Sequence, residues 1–170
     1  MATLASAVVE AKAHVDCLVL GDSIALQLAP RLAKQMKVSN RRLGLDARAG
    51  ESARNFLRKH WWRDAVQRYD ACPVLASLGV NCTRSERPAL ADTLAQLDEL
   101  AGWRAVFLVL PSEGFAFDLT YLHDAVRAAG VAAIWLPRVP LETDRVHPTE
   151  RSHQRIAALV LQRLWGDQHG

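Results

Sequence analysis

A serine, an asparagine, an aspartate and a histidine occur where apolar stretches of the chain give way to loops. Gly-Asp-Ser at 21–23 ends an apolar run, and a segment with helical spacing follows at once. Asn81 follows another apolar run, and Asp144 and His147 lie three residues apart in a late loop. A serine hydroxyl becomes a good nucleophile when a base takes its proton, and a histidine held by a carboxylate can serve as that base. The four side chains therefore indicate acyl transfer through Ser23.

Three groups could stabilise the oxyanion that such an attack creates. This charge needs hydrogen-bond donors that are already in place. Ser23 offers a backbone N–H in the first turn of a predicted helix, where N–H groups lack partners within the helix. Gly50 offers a backbone N–H with no Cβ in the way, and Asn81 offers an amide without charge. Each residue has a simpler explanation as a helix cap or turn residue, so the prediction depends on their combination.

The elements that must position these residues alternate along the chain. Apolar runs of strand length are Val15–Leu20, Leu43–Ala47, Val74–Leu78, Ala105–Leu110 and Val131–Leu136. Segments with helical spacing are Ile24–Lys37, Ser52–Arg68, Pro88–Leu100, Leu119–Ala129 and Thr149–Trp165. We expect Asp118 to be the N-cap of the fourth helix and Gly130 to end it. This alternation predicts an α/β fold with a parallel sheet covered on both faces, and ligands of such sheets bind beyond the carboxyl ends of the strands.

Bulk composition predicts one globular domain spanning residues 1–170, with an N-terminal extension at 1–14. The 170 residues are 50% hydrophobic and 23% charged, and the formal net charge is +3. No block of basic residues with interleaved aromatics occurs, so the sequence does not favour nucleic-acid binding. No apolar run approaches the roughly 18 residues of a membrane span, so no membrane insertion is expected. The N-terminus lacks the basic region of a signal peptide, so the cytoplasm is the default compartment. The sequence leaves the oligomeric state open.

The three cysteines give no sign of a disulfide framework or a zinc site. Cys17, Cys72 and Cys82 are an odd number at wide spacing, and no CxxC motif is present. Cys17 lies in a predicted strand, where a cysteine commonly serves as a small buried hydrophobic residue. No metal or organic cofactor is expected.

Together the polar blocks resemble the conserved motifs of the SGNH (GDSL-type) hydrolases. The matching segments are Gly21-Asp22-Ser23, Gly50, Gly79-Val80-Asn81 and Asp144-Arg145-Val146-His147-Pro148. The resemblance covers Leu18 to Pro148, and Gly50 is its least specific match. Two departures concern subfamily: Cys82 stands where members often have aspartate, and Ile24 stands where leucine is usual.

This resemblance implies a three-layer α/β/α fold with a five-stranded parallel sheet in the flavodoxin-like order 2-1-3-4-5. It also implies roles for the site residues. Ser23 is the nucleophile, His147 is the base and Asp144 is its partner. The oxyanion hole consists of Ser23, Gly50 and Asn81.

The sequence thus predicts a serine esterase that works through an acyl-enzyme. Short connecting loops leave little material for a lid or an acyl tunnel, which favours a small acyl group such as acetyl on a larger carrier, with glycan O-deacetylation as the leading function. A lysophospholipase or thioesterase acting on longer acyl chains, and a non-catalytic binding module on the same fold, remain alternatives. The α/β-hydrolase fold is disfavoured, although residues 21–25 are close to G-x-S-x-G, because Ser23 follows the first strand.

Several further residues allow either a structural or a functional interpretation. Arg48, Arg84 and Arg145, together with Arg138, are either solvated loop charges or a positive rim that attracts anionic substrates. Trp61 and Trp62 are either ordinary helix residues, one packed inward and one covering the surface, or a sugar-stacking platform. His153 has no evident metal-binding partners, so we expect it on the surface of the last helix.

Overall fold

The computed structural model describes residues 13–59, 61–71, 73–111, 113–116 and 118–166. Most of the predicted N-terminal extension, and Cys72, lie outside these residues. In the part of the chain that is described, no helix is both long enough and apolar enough to cross a bilayer.

The centre of the molecule is a five-stranded, all-parallel sheet, as predicted. The strands in chain order are β1 (Ala13–Val15), β2 (Cys17–Gly21), β3 (Leu43–Ala47), β4 (Tyr69–Ala71), β5 (Val74–Ser77), β6 (Ala105–Val109) and β7 (Ala133–Trp135). The five-stranded sheet has the order β3-β2-β5-β6-β7, and β1 and β4 form a separate two-stranded parallel sheet. Gly21 at the end of β2 pairs with Ala47 and with Ser77, so the carboxyl ends of three neighbouring strands meet at one edge.

In the described part of the chain, five α-helices lie between strands and a sixth follows the last strand. They are α1 (Ser23–Val38), α2 (Ala53–Arg58), α3 (Trp61–Arg68), α4 (Leu90–Leu100), α5 (Thr120–Ala129) and α6 (Glu150–Trp165), with a 3-10 turn at Arg87–Ala89 before α4. The prediction of one helix over Ser52–Arg68 is wrong, because α2 ends at Lys59, whose backbone is extended. The Nζ atom of Lys59 lies 3.2 Å from Glu51 Oε1, an ion pair that holds the end of α2 against the loop before it.

Two apolar cores, one on each face of the sheet, make the fold three-layered. Leu18 and Leu20 of β2 pack with residues of α2 to α5, whereas Cys17 and Val19 pack with residues of α1 and α6. This alternation follows from the pleat of a strand, which sends successive side chains to opposite faces. Because both faces are covered, β2 is buried throughout, which explains its continuous apolar sequence.

Of the two predicted boundaries of α5, the C-terminal one is confirmed and the N-terminal one is wrong. Gly130 adopts a left-handed conformation with φ of 64° just after the helix, as expected of a C-terminal glycine. The N-cap position is Leu119 rather than Asp118. Asp118 lies one residue earlier, and its Oδ1 atom accepts a hydrogen bond from the Thr120 N–H at 2.9 Å. The carboxylate therefore still satisfies a donor of the first turn.

Candidate active site

Ser23 is the first residue of α1, immediately beyond the carboxyl end of β2. Asp22 is the N-cap, and its Oδ1 atom accepts a hydrogen bond from the Ile24 N–H at 3.0 Å. Gly21 has a φ of 141°, and a Cβ at this position would lie 2.1 Å from the carbonyl oxygen of Ser77. Glycine is needed here because β5 passes so close, and the tight junction presents Ser23 at the edge of the sheet where ligands of parallel sheets bind.

The Asp22 carboxyl group is fully buried beneath this junction. Its Oδ1 atom also accepts a hydrogen bond from the Ser77 hydroxyl at 3.2 Å, while Oδ2 has no hydrogen-bond partner among the described residues. Burial raises the pKa of Asp22 from 3.8 to about 7, against the opposing effect of hydrogen bonds from the backbone of Ile24 and Ala25 and from Ser77. This carboxyl group therefore holds its proton through the acidic range in the folded protein.

His147 connects Ser23 to Asp144. Its Nε2 atom lies 2.9 Å from Ser23 Oγ, and its Nδ1 atom lies 2.6 Å from Asp144 Oδ2. The hydrogen bond from the His147 ring, followed by those from the backbone N–H groups of His147 and Val146, lowers the pKa of Asp144 from 3.8 to about 2. An ionised carboxylate on Nδ1 leaves Nε2 free to accept the serine proton, which is the arrangement a serine nucleophile requires.

The loop that carries Asp144 and His147 is held through Arg145. Arg145 has a positive φ of 55°, unusual for a residue with a side chain. Its guanidinium donates hydrogen bonds to the carbonyl oxygens of Gly114 and Phe115, both at 3.2 Å. These contacts give the Arg145 side chain a structural role. The expectation that Arg145 binds substrate stays a prediction.

Gly50 and Asn81 lie on neighbouring loops, after β3 and β5 respectively. The side-chain amide of Asn81 donates a hydrogen bond to the carbonyl oxygen of Glu51 at 3.3 Å, which joins the two loops directly. Gly50 is exposed, with a φ of 72°, and a Cβ built on it would have no heavy atom within 4 Å. Glycine at position 50 is therefore favoured by the positive φ of its backbone, and not by a neighbouring atom that would collide with a Cβ.

Tyr121 holds the loop that contains Asn81 through a hydrogen bond to its backbone. Its hydroxyl donates a hydrogen bond to the carbonyl oxygen of Gly79 at 2.8 Å, and the guanidinium carbon of Arg87 lies 4.0 Å from the centre of its ring. Burial is the main reason that the pKa of Tyr121 is raised to about 12, so the phenol remains a donor. Sequence reasoning missed Tyr121 because nothing local distinguishes a tyrosine that reaches back to a loop 42 residues earlier.

The other predicted residues have varied surroundings. Arg48 and Arg84 are exposed in loops near the site, and the Arg48 backbone N–H donates a hydrogen bond to the carbonyl oxygen of Gly21 at 2.8 Å. Trp62 is fully buried and stacks on Phe56 with ring centres 5.5 Å apart, so it belongs to the core. The side chain of Trp61 lies outside the described residues.

The expectation that His153 lies on the surface is wrong. Its side chain is buried, with an exposed fraction of 2%, on the face of α6 that packs against the sheet layer. Burial is also the main reason that the pKa of His153 is lowered. The helical spacing of α6 does place His153 on the buried face, since it lies three residues before Ile156 and seven before Val160. The expectation rested on the lack of metal-binding partners and did not use this spacing.

A cavity of about 250 Å³ adjoins the Asp144–His147 pair. Its lining is Gln27, Arg31, Glu142, Asp144, His147, Pro148, Glu150 and His153. Seven of these eight residues are polar, and the guanidinium of Arg31 is paired with the carboxylate of Glu150. The cavity thus suits a ligand with many hydrogen-bonding groups better than it suits a hydrocarbon chain.

Comparison with known proteins gives matches in structure but not in sequence. No protein-family model matches the chain, and no curated protein matches it. Among solved structures, a lipase/acylhydrolase from Enterococcus faecalis is similar, with a TM-score of 0.65 and 14% identity over 87% of this chain and 94% of that one. A GDSL-like lipase from Bacteroides thetaiotaomicron has a TM-score of 0.68 and 16% identity over 88% of this chain and 87% of its own.

An acetyl xylan esterase is similar to the same extent. Its TM-score is 0.68 at 12% identity, over 87% of this chain and 99% of that protein. At these identities the likeness defines the fold. The chain has the three-layer α/β fold of the GDSL-like lipases and acylhydrolases, as the resemblance in its sequence implies.

Proposed function

We propose that the protein is a carboxylic ester hydrolase in which Ser23 is the nucleophile, His147 the general base and Asp144 the residue that orients it. One observation carries the proposal: Nε2 of His147 lies 2.9 Å from Ser23 Oγ while its Nδ1 atom lies 2.6 Å from Asp144 Oδ2. Both distances are those of good hydrogen bonds. The names of the structural neighbours, which are lipases, acylhydrolases and esterases, support the same class.

Acylation uses these groups in order. Nε2 of His147 takes the proton of the Ser23 hydroxyl as Oγ attacks the ester carbonyl carbon, and Asp144 stabilises the imidazolium that forms. The carbonyl oxygen becomes an oxyanion, which accepts hydrogen bonds from the Ser23 and Gly50 N–H groups and from the Asn81 amide. When the tetrahedral intermediate collapses, Nε2 gives the proton to the departing alcohol oxygen, and Ser23 is left carrying the acyl group.

Deacylation repeats the sequence with water. His147 takes a proton from a water molecule, whose oxygen attacks the acyl carbon, and the same donors hold the oxyanion. Collapse returns the proton to Ser23 Oγ and releases the carboxylic acid. The chain, the ester and one water molecule supply every atom that the two half-reactions require.

We infer that the substrate is a small acyl ester, acetyl above all, on a polyhydroxylated carrier such as a glycan. The polar cavity beside His147 supports this assignment because Gln27, Arg31 and Glu142 offer donors and acceptors for hydroxyl groups. Two structural neighbours are named as acetyl xylan esterases, the second being from Geobacillus stearothermophilus. The leaving alcohol must depart beside His147, which donates the proton to it.

A scan of p-nitrophenyl esters by acyl length, followed by a panel of O-acetylated glycans, tests this function. We expect kcat/KM to be highest for acetate and to fall with each longer acyl chain, and acetate to be released from at least one glycan. A maximum at octanoate or longer would favour the lysophospholipase or thioesterase alternative. Ser23→Ala provides the background rate.

A further inference from the structure

We propose that Glu86 is a positioning residue whose carboxylate clamps together the two loops that carry Gly50 and Asn81. The inference deepens the proposed function, on which it rests for the catalytic meaning of the two loops. Glu86 touches no reacting atom, and its effect passes through the donors that the loops present.

The two oxygens of Glu86 bind different loops. Its Oε1 atom accepts a hydrogen bond from the Ser52 hydroxyl at 2.9 Å. Its Oε2 atom accepts hydrogen bonds from the Thr83 N–H at 2.8 Å and from the Thr83 hydroxyl at 2.9 Å. Ser52 follows β3 and Thr83 follows β5, the two strands that flank β2, so one carboxylate joins the loops on either side of the strand that leads to Ser23.

The two residues that Glu86 binds lie equally far along the chain from the two predicted oxyanion donors, Gly50 and Asn81. Ser52 comes two residues after Gly50, and Thr83 comes two residues after Asn81. Fixing Ser52 relative to Thr83 therefore fixes Gly50 relative to Asn81. The hydrogen bond from Asn81 to the Glu51 carbonyl also joins the loops, and at 3.3 Å it is longer than any of the three that Glu86 accepts.

Burial makes the clamp rigid. Glu86 and Ser52 have exposed fractions of 8% and 4%. Burial by itself would raise the pKa of Glu86, but the hydrogen bonds from Thr83 and Ser52, helped by the charge of Arg54, outweigh it and lower the pKa. The carboxylate is therefore ionised at neutral pH, and hydrogen bonds to an ionised acceptor are roughly twice as strong as neutral ones.

Such a clamp matters because an oxyanion hole depends on position. A displacement of about 1 Å away from the productive geometry can lower a rate by about 10². The substrate carbonyl in its ground state makes weaker use of these donors than the oxyanion does, so loosening the loops should lower kcat more than it changes KM.

Glu86→Ala and Glu86→Gln, with Glu99→Ala as a matched exposed control on α4, test the clamp. In Glu86→Ala we expect kcat on p-nitrophenyl acetate to fall by about 10-fold or more with little change in KM. Glu86→Gln should recover most of the activity, since its amide oxygen can accept from Thr83 while its NH₂ group donates to the Ser52 hydroxyl. Glu99→Ala should match the wild type. Activity of Glu86→Ala within about twofold of the wild type would overturn the proposal.

A double-mutant cycle separates positioning from a general loss of stability. If Glu86 acts through Asn81, Glu86→Ala should cost far less kcat in an Asn81→Ala background than in the wild type, because the donor it positions is gone. Equal losses in the two backgrounds would show that Glu86 does not act through Asn81 and would overturn that part of the proposal.

Hydrogen exchange gives a readout that does not depend on activity. In Glu86→Ala the Thr83 amide and the amides of residues 50–53 should exchange faster by about 10-fold, with no such change in Glu99→Ala. Unchanged exchange at 50–53 would overturn the clamp. If the wild type hydrolyses no ester, the proposed function fails while this result still decides whether Glu86 joins the loops.

Should Glu86→Ala not fold, Ser52→Ala carries the test. This variant releases the Gly50 loop and leaves the contacts between Glu86 and Thr83 in place. It also removes the cap that the Ser52 hydroxyl provides for the Asn55 N–H of α2. We expect kcat to fall while the Thr83 amide stays protected. An unchanged kcat would overturn the proposal.

Discussion

The carboxylate of Asp144 holds His147 in two ways at once. Its Oδ2 atom lies 2.6 Å from Nδ1 of the ring, while its Oδ1 atom accepts hydrogen bonds from the backbone N–H groups of Val146 and His147 at 2.8 and 3.0 Å. One side chain thus shapes the turn that places the imidazole and selects the nitrogen that faces Ser23. This explains why the two residues are only three apart in sequence.

Asp144→Asn separates these two roles. Asparagine Oδ1 can still accept from the backbone, so the turn should persist, but an NH₂ group now faces Nδ1 and stabilises the tautomer that carries its proton on Nε2. That tautomer cannot accept the serine proton. We expect kcat to fall by about 10² or more with the fold unchanged, measured with p-nitrophenyl acetate and circular dichroism. A variant within about tenfold of the wild type would show that Asp144 does not set the tautomer.

Asn81→Ala and Asn81→Asp test the oxyanion hole. Loss of one donor that acts on the oxyanion typically lowers kcat by about 10²–10³, and KM should change much less. Asn81→Asp should be at least as harmful, because its carboxylate would face both the developing oxyanion and the Glu51 carbonyl that now accepts from Asn81. If Asn81 were only a turn residue, aspartate would replace it with little loss. An active Asn81→Asp enzyme would place the oxyanion hole elsewhere.

The sequence predicts the central sheet well and the contacts around the site poorly. Runs such as Val74–Leu78 appear as strands because buried parallel strands are continuously apolar, and local pattern is enough to find them. The strand Tyr69–Ala71 was missed, because it consists of three residues paired with the equally short Ala13–Val15, and neither has a pattern of its own. The break between α2 and α3 was missed because it depends on the extended backbone of Lys59, which hydrophobic periodicity does not report.

In the candidate site, too, short local motifs are predictable from the sequence and contacts between distant segments are not. Ser23, Asp144 and His147 are identifiable because short motifs carry their chemistry. The residues that hold the Gly50 and Asn81 loops are not identifiable in this way. Glu86 and Tyr121 contact these loops across 34 and 42 residues of sequence. The burial of His153 was predictable from the sequence, since its spacing from Ile156 and Val160 places it on the apolar face of α6.

Gly21→Ala should destabilise the protein severely. The added Cβ would lie 2.1 Å from the Ser77 carbonyl oxygen, a backbone atom that cannot move without disturbing β5. Gly130→Ala is the matched control, since Gly130 also has a positive φ but open space around a Cβ. We expect Gly130→Ala to lower the free energy of unfolding by about 1 kcal/mol, and Gly21→Ala by several times as much or to prevent folding. Urea unfolding measures both, and equal losses would refute the argument from close approach.

Asp22 should make the wild type less stable as pH rises. Because burial raises its pKa from 3.8 to about 7, the folded protein holds a proton that the unfolded chain has lost between these values. The contribution of Asp22 to the free energy of unfolding therefore falls as pH rises from about 4 to about 7 and is constant above that. Asp22→Asn removes this dependence and keeps an acceptor for the Ile24 N–H.

The stability difference between Asp22→Asn and the wild type should accordingly grow in favour of the variant across this range, by roughly 4 kcal/mol at most. Urea unfolding at about pH 4.5 and about pH 8 measures it, and other titrating groups cancel in the difference. A difference that does not change with pH would mean that Asp22 is ionised in the folded protein throughout.

The most direct test of the account is covalent labelling of Ser23 by a fluorophosphonate, read by intact mass and peptide mapping. The account predicts one adduct per chain, on Ser23, and none in Ser23→Ala, which should also lose hydrolysis by about 10³ or more while Ser39→Ala keeps it. No adduct on the folded wild type, under conditions in which a known serine esterase reacts, would contradict the account and favour a non-catalytic binding module. An adduct on a different serine would contradict the assignment of the nucleophile.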